Sequence, residues 1–367
     1  MANENLSRAK IARADEFYTQ WADIEREVRA YIDFNPDVFR DKTILCPCDD
    51  PDWSNFTKLF ALLFSEYGIK KLISTSYAVE SKPGKTDYEK SLLEINDPRF
   101  DEAKTRVRGK LFVLERSDVD GGAKVDIDHL RWEYLGGDGD FKSSGVCALR
   151  DEADIIITNP PFSLFREFLA WIVEADKQFL IIGNINAITY KETFPLIKGN
   201  KAWLGPSISG GDRKFNVPDN VPLEAASCGI DEDGKRYIRV KGVRWYTNLD
   251  HGRRHEPLRL MTMADNLKFS KHKEIRDKSG YERYDNYDAI EVPYTDAIPS
   301  DYDGVMGVPI SFLDKYCPEQ FEIVGMSANG IVPDNVKLPH FKRHNEPYID
   351  GKKIYQRVMI IKRSMCI

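Results

Sequence analysis

Ala153-Asp154-Ile155-Ile156-Ile157-Thr158-Asn159-Pro160-Pro161-Phe162 is the stretch on which the reading of this chain turns. A β-branched apolar run feeding two prolines predicts a strand that ends in a rigid turn, and open α/β sheets place their chemistry at such carboxyl ends. The Asn159 side-chain oxygen and the Pro160 carbonyl can accept both hydrogens of an amine, drawing its lone pair out of conjugation. Pro161 completes the turn, and Phe162 offers a flat face for stacking. Neither proline has an N–H, so the carbonyls here are not drawn into a ladder and can face a ligand. A plain strand-ending turn would use the same residues.

Working outward, strand and helix patterns alternate. Residues 11–32 carry Phe17, Trp21, Ile24, Val28 and Ile32 at helical spacing, with the acids mainly on the other side. Strands are expected at 42–47, 70–75, 111–114, 153–158 and 178–183, and helices at 56–67, 164–175 and 191–197. Ser54 is the expected N-cap of the helix over 56–67. Residues 80–110 are polar and patternless, as in a surface insertion, and 132–141 form a turn-rich approach to the strand at 153. The alternation predicts a doubly wound, mostly parallel α/β sheet. Past residue 200 come short β-like runs between Gly, Pro, Asn and Asp, clearest at 235–246. The expected division is therefore a catalytic domain over 1–200 and a smaller β-rich region over 201–367, with the boundary near 199–206.

The 367 residues, 42% of them hydrophobic, suffice for one large core and a smaller lobe. No apolar run has the length of a membrane span and the N-terminus lacks a signal-peptide core, so a cytoplasmic protein is expected. Six cysteines, only Cys46 and Cys48 closely spaced, form neither a disulfide framework nor a CxxC metal site. No bound metal is expected. Net charge is −6, yet between Lys235 and Arg283 14 Lys and Arg face 6 Asp and Glu. That local excess of +8 leaves −14 for the remainder, a distribution that suits an ordinary catalytic domain joined to a module that meets phosphate. A solvated charged face would give the same count. Arg244, Asn248, Arg253 and Arg254 are the candidates there to touch phosphates and base edges.

Asn-Pro-Pro-Phe is the tetrapeptide with which amino-methylating enzymes hold an exocyclic NH2, so a methyl donor is sought beside the first strand. The loop there is Cys48-Asp49-Asp50-Pro51 instead of a glycine-rich turn. Asp49 or Asp50 could pair with the ammonium of S-adenosylmethionine, and free N–H groups opening the next helix suit its carboxylate; a simple helix lead-in would look the same. Asp140 could accept from the adenine amino group of that donor and Phe141 could stack on its ring, although an acid before an aromatic is common in turns. An acid ending the second strand, expected for the ribose hydroxyls, is missing: Ser74-Thr75-Ser76-Tyr77 stands there.

Ala14-Asp15-Glu16-Phe17-Tyr18-Thr19, Cys48-Asp49-Asp50-Pro51 with Ser54-Asn55-Phe56, Asn159 to Phe162 with Ser163-Leu164-Phe165, and Arg244-Trp245-Tyr246-Thr247-Asn248-Leu249-Asp250 together resemble the EcoRI-type adenine-specific DNA methyltransferases. The similarity runs from about residue 10 to past 360. It implies a class I S-adenosylmethionine-dependent fold with a C-terminal DNA-recognition region, and methylation of N6 of one adenine in a short duplex site after the base is flipped out. The segment order is that of the gamma-type amino-methyltransferases. The resemblance also implies that Thr19 contacts the donor and that an aromatic, for which Phe215 is the candidate, covers the other face of the extruded base. A monomer is expected, serving restriction-modification or standing as an orphan or phage enzyme, with any cognate restriction endonuclease not physically required. The rival readings are methylation of a protein glutamine amide, which presents the same two hydrogens, and a DNA-binding module that has lost activity. Cytosine N4 ranks third, because relatives using it usually carry Ser at the first motif position.

Overall fold

The computed structural model describes residues 18–78, 99–119, 125–127, 130–216, 228–232, 234, 236–327 and 346–363. The chain divides into two compact units, Met1–Thr193 with Gly205–Asp250, and Phe194–Leu204 with His251–Ile367. The division is not the single break near 199–206 that composition suggested. Residues 205–250 return to the first unit, because the all-buried strand Val243–Thr247 completes its sheet.

The first unit contains β1 (Tyr18–Thr19), β2 (Thr43–Cys46), β3 (Lys71–Thr75), β4 (Lys110–Glu115), β5 (Trp132–Tyr134), β6 (Ile155–Thr158) and β7 (Gln178–Asn184). After β8 (Trp203–Leu204) of the second unit come β9 (Asp212–Asn216), β10 (Cys228–Ile230), β11 (Arg236–Lys241) and β12 (Val243–Thr247). Seven strands of the first unit form one sheet in the order β5-β4-β3-β2-β6-β7-β12. The central four, β3-β2-β6-β7, are parallel; β4 and β12 flank them antiparallel, and β5 pairs antiparallel with β4. Every residue of β2 and β6 is buried, the pattern of strands covered on both faces. The helix Trp21–Phe34 lays Ile24, Val28 and Tyr31, each 0% exposed, into the core with Ile44, Ile155, Ile182 and Trp245. Such a fully buried apolar side chain contributes roughly 1.5 to 3 kcal/mol.

The chain runs from β2 outward to β3 and later comes back on the other side of β2 as β6. The strand order therefore reverses between β2 and β6, and at such a switch point the loops leaving the carboxyl ends part to form a crevice. The two loops concerned are Pro47–Ser54 and Asn159–Phe162.

Several elements depart from the sequence reading. The helix expected over 56–67 is Asn55–Leu62, and the one expected over 191–197 is Phe194–Lys198. Within 80–110, residues 79–98 lie outside the described residues, and the rest holds a helix, Glu102–Val107, whose Asp101 side chain accepts from Lys104 N. The approach to β6 is more regular than its turn residues suggested, with β5 and a helix Ser144–Glu152 capped by Ser143. The β-like run 235–246 is two strands in different sheets. Gly242, at φ +70°, makes the corner between them, and a Cβ there would meet Ile185 Cγ2 at 2.9 Å.

A second, antiparallel sheet of the first unit has the order β1-β9-β11-β10. In the second unit, β13 (Ala289–Glu291), β14 (Val305–Val308), β18 (Val358–Lys362) and β15 (Phe321–Met326) form another sheet in that order, and β16 (Tyr348–Ile349) and β17 (Lys352–Lys353) form a hairpin. Its interior is fixed by a buried acid, for Glu291 accepts from the Tyr284 hydroxyl and pairs with Arg357 at 2.6 Å. Among the described residues no helix is long and apolar enough to cross a membrane, and no cluster of His, Cys, Asp or Glu could hold a metal.

Candidate active site

The loop after β2 is built around Asp49, which is 5% exposed. Its Oδ1 accepts from Ser54 Oγ at 2.6 Å and its Oδ2 from Thr158 Oγ1 at 2.5 Å. Ser54 Oγ in turn accepts from Phe56 N and Thr57 N, so the expected N-cap is present. The Asp49 carbonyl accepts from Ser74 Oγ, whose oxygen lies 2.7 Å from Thr57 Oγ1, and Asp49 N donates to Thr75 O at 2.9 Å. Burial raises the Asp49 carboxyl to about 7 against the lowering effect of the two hydroxyls. Both oxygens are thus engaged inside the protein, so of the two acids expected to reach for an ammonium, Asp49 ties its loop to the end of β6.

Asp50 lies nearer the surface. Lys110 Nζ approaches its carboxylate at 3.2 Å and that of Asp52 at 2.7 Å, with Trp132 Nε1 donating to Asp52 Oδ1 at 3.0 Å. Burial raises the Asp52 carboxyl, with Asp50 beside it adding to the rise. Pro51 is buried and Cys48 half-buried within this loop. Neither Lys110 nor Trp132 was singled out from sequence, since a lysine opening a strand and a tryptophan in a turn-rich stretch carry no signal of their own.

Thr158, which holds Asp49, is the residue immediately before Asn159. A lone hydroxyl ending an otherwise all-isoleucine strand was a signal available in the sequence. Pro160 is buried while Asn159, Pro161 and Phe162 are half-buried. Asn159 has partners, and its Oδ1 is a buried oxygen that receives no hydrogen bond among the described residues. After Pro161 the chain makes a short 3-10 turn, Phe162–Leu164, and then the helix Phe165–Glu174.

The contacts of these residues close a circuit. Asp49 joins Ser54 to Thr158, and the turn leads from Thr158 to Phe162. The Phe162 ring meets the Phe215 ring edge to face, centroids 6.5 Å apart at 89°. Phe215 on β9 pairs with Thr19 on β1, and the Thr19 carbonyl accepts from Asn55 Nδ2 at 2.7 Å, next to Ser54. Thr19 Oγ1 is buried without a hydrogen-bond partner among the described residues. Residues 19, 48–51, 54–55, 158–162 and 215 are therefore brought together at the switch point. Residues 14–17 of the N-terminal motif lie outside the described residues.

Other candidates are placed elsewhere. Phe141 is 1% exposed and packs edge-on against Phe168 and Trp171 at 5.1 and 5.5 Å, so the ring expected to stack on adenine is a core ring. Asp140 Oδ1 accepts from Lys142 N at 2.8 Å, holding the turn. Arg244 is buried and donates to Val243 O. Asn248 accepts from Phe179 N and donates to Lys177 O, tying β12 to β7. Arg254 is buried, stacked on Trp203 at 3.7 Å and donating to Asn200 Oδ1. These contacts of Arg244, Asn248 and Arg254 lie within the fold; Arg253, like Asn248, is half-buried, and Arg244 and Arg254 are buried. Arg254→Ala is expected to lower stability by roughly 1 to 3 kcal/mol, the scale of a lost buried charge-assisted contact, without weakening DNA binding by the folded protein. Urea unfolding beside an anisotropy titration with DNA checks both halves.

The model of the family described as "Adenine-specific methyltransferase EcoRI" matches residues 5–363. The chain is 42% identical to the Type II methyltransferase M.EcoRI of Escherichia coli over 343 residues, 93% of this chain and 95% of that protein. It is 33% identical to the Type II methyltransferase M.MpnI of Mycoplasma pneumoniae, over 99% of each chain. A third relative, the Type II methyltransferase M.MgeORF184P of Mycoplasma genitalium, is 32% identical over 98% of this chain and 99% of its own. No solved structure matches.

Proposed function

The chain belongs to the EcoRI family of adenine-specific DNA methyltransferases, and from that premise we propose that it transfers a methyl group from S-adenosylmethionine to N6 of one adenine in a short duplex DNA sequence. The observation that carries this reading is the closed circuit of contacts joining Thr19, the Cys48–Ser54 loop, the Asn159–Phe162 turn and Phe215 at one switch point. The parallel sheet at whose carboxyl edge it lies is of the class I methyltransferase type, and the second unit, with its β-rich sheet, is the candidate DNA-recognition region.

The residues present suit the donor. The half-buried Cys48 and Asp50 line the loop mouth, and the buried Thr19 Oγ1 supplies a hydroxyl that no described residue uses. Asp50 replaces Asp49 as the acid for the ammonium, in competition with Lys110. When bound, S-adenosylmethionine supplies a methyl carbon whose bond to the sulfonium breaks as the new C–N bond forms, the released pair staying on sulfur.

Adenine N6 is a weak nucleophile because its lone pair is delocalised into the ring. Asn159 Oδ1 and the Pro160 carbonyl each accept one N6 hydrogen, moving the nitrogen toward tetrahedral shape and aiming its lone pair. Orientation of this kind can contribute several kcal/mol. Phe162 stacks on the base, offsetting part of the few kcal/mol that flipping costs. Phe215, perpendicular to Phe162 and 2% exposed, buttresses that ring from behind instead of forming the far side of a sandwich. After transfer the excess proton leaves N6 for solvent.

The test is to incubate pure protein with S-adenosylmethionine and mixed-sequence duplex DNA, digest to nucleosides and identify the product by mass. N6-methyladenine is the expected species. N4-methylcytosine would correct the base, and DNA left unmethylated by protein that binds the donor would overturn the substrate.

A further inference from the structure

We propose that the outer face of the β1-β9-β11-β10 sheet is the surface that grips duplex DNA phosphates beside the acceptor turn, an inference that rests on the DNA-methylating reading above. Strand pleating sorts the side chains of this sheet. In register, Phe215 faces Ile238 and Arg213 faces Val240, while Lys214 faces Arg239, Asn216 faces Tyr237 and Asp212 faces Lys241. Side chains alternate between faces along a strand. Phe215, Ile238 and Val240 pack into the core that also holds Phe162. Lys214, Tyr237, Arg239 and Lys241 must then share the opposite face, with Arg239 and Lys241 exposed and the other two half-buried.

That face is organised around Tyr237. Its ring leans across Gly229 of β10, where an added Cβ would meet the Tyr237 hydroxyl oxygen at 2.7 Å. Lys214 Nζ lies 4.5 Å from the ring centroid and the Arg239 guanidinium 5.6 Å, with Arg239 Nη2 donating to the tyrosine oxygen at 3.5 Å. Arg239 and Lys241 are two residues apart on one strand, roughly 7 Å, so the cations form a line instead of a point. Among the described residues Asp212 is the acid on this face, opposite Lys241, and Asp231 and Glu232 stand beyond the other end of β11. Three cations against one acid on an exposed sheet complement a polyanion, and phosphate contacts of this sort position a duplex without reading its sequence. Placement adds the second argument: Phe215, on the inner face of this sheet, meets the Phe162 ring, so the sheet that carries the cations also touches the turn that must receive the flipped base. The +8 segment 235–283 thus splits, its first strand contributing to this face and Arg244 and Arg254 serving the interior.

The experiment compares the full-length protein with the triple variant Lys214→Ala, Arg239→Ala, Lys241→Ala, and with the charge-keeping triple Lys214→Arg, Arg239→Lys, Lys241→Arg. Anisotropy titrations with labelled mixed-sequence duplex DNA over a salt series give log K against log salt. The alanine triple is expected to bind on the order of tenfold or more weaker, with the slope reduced by about 2 to 3, near 0.9 per lost phosphate contact. Donor affinity and the methyl-transfer rate at saturating DNA should stay within about twofold, and the charge-keeping triple should match the parent. An unchanged slope in the alanine triple, while the parent methylates DNA, overturns this surface and leaves the enzymatic reading standing. A parent that neither binds nor methylates duplex DNA overturns both. Should the alanine triple not fold, the single change Lys241→Ala at the exposed end of β11 decides by the same slope, with a loss of about one expected.

Discussion

Asn159→Ala is expected to lower single-turnover methyl transfer by about 10²- to 10³-fold, the loss seen when one preorganised hydrogen-bonding partner of a reacting group is removed, or ~3 to 4 kcal/mol. Affinity for donor and for DNA should stay within about tenfold. The asymmetry follows from where the side chain sits. Asn159 begins the turn at the carboxyl end of β6, and the turn is braced on either side of it by Thr158 to Asp49 and Phe162 to Phe215, contacts that Asn159→Ala leaves in place. Removing the amide takes away an acceptor that matters when N6 changes shape, a loss confined to the transition state. Rapid-quench kinetics with enzyme in excess, beside equilibrium binding of both ligands, separates the two quantities. A variant that keeps more than a few per cent of the parent rate would remove Asn159 from the chemistry.

How much of this site could be read from sequence depends on what each residue is bound to. Asn159–Phe162 was legible because prolines after a β-branched run force a turn whatever packs around them. The apolar spacing of Trp21, Ile24, Val28 and Ile32 was legible, but the helix expected over 11–32 is Trp21–Phe34, preceded by the strand Tyr18–Thr19, with 11–17 outside the described residues; Ser54 was legible from its place before an apolar helix. Phe141 and Arg254 read as ligand-facing types, yet both are interior, because what decides their role is a contact with residues distant in sequence, Trp171 for one and Trp203 for the other. Asp49 could not be told from Asp50 as the pairing acid because nothing local reveals that Thr158, 109 residues on, donates to it. The unit boundary failed for the same reason: β12 pairs with β7 across some sixty intervening residues, and turn-rich composition in between says nothing of where the chain returns.

Asp49→Ala is expected to destabilise the first unit by roughly 2 to 5 kcal/mol, because the buried Ser54 and Thr158 hydroxyls each lose an acceptor and each stranded donor costs about 1 to 3 kcal/mol. Asp49→Asn should cost far less, since an amide keeps one acceptor and offers Thr158 a donor in exchange. The two variants then differ in their response to pH, and its sign is fixed by burial. The folded carboxyl titrates at about 7 and the unfolded one at 3.8, so between these values the folded state holds a proton that the unfolded state has released. Stability from this group is fully present below about pH 4 and is lost as pH rises toward 7, because ionisation in the folded state is opposed. The parent should thus lose stability relative to Asp49→Asn as pH rises from about 4 to 7, with no further divergence above. Urea midpoints of the two proteins across that range give the difference directly. Parallel profiles would place an ordinary, low-titrating carboxylate at Asp49. If Thr158→Val slows methyl transfer while Thr158→Ser restores it, at unchanged donor affinity, the brace also sets the position of the catalytic turn. Equal rates in both would leave it a purely structural tie between β2 and β6.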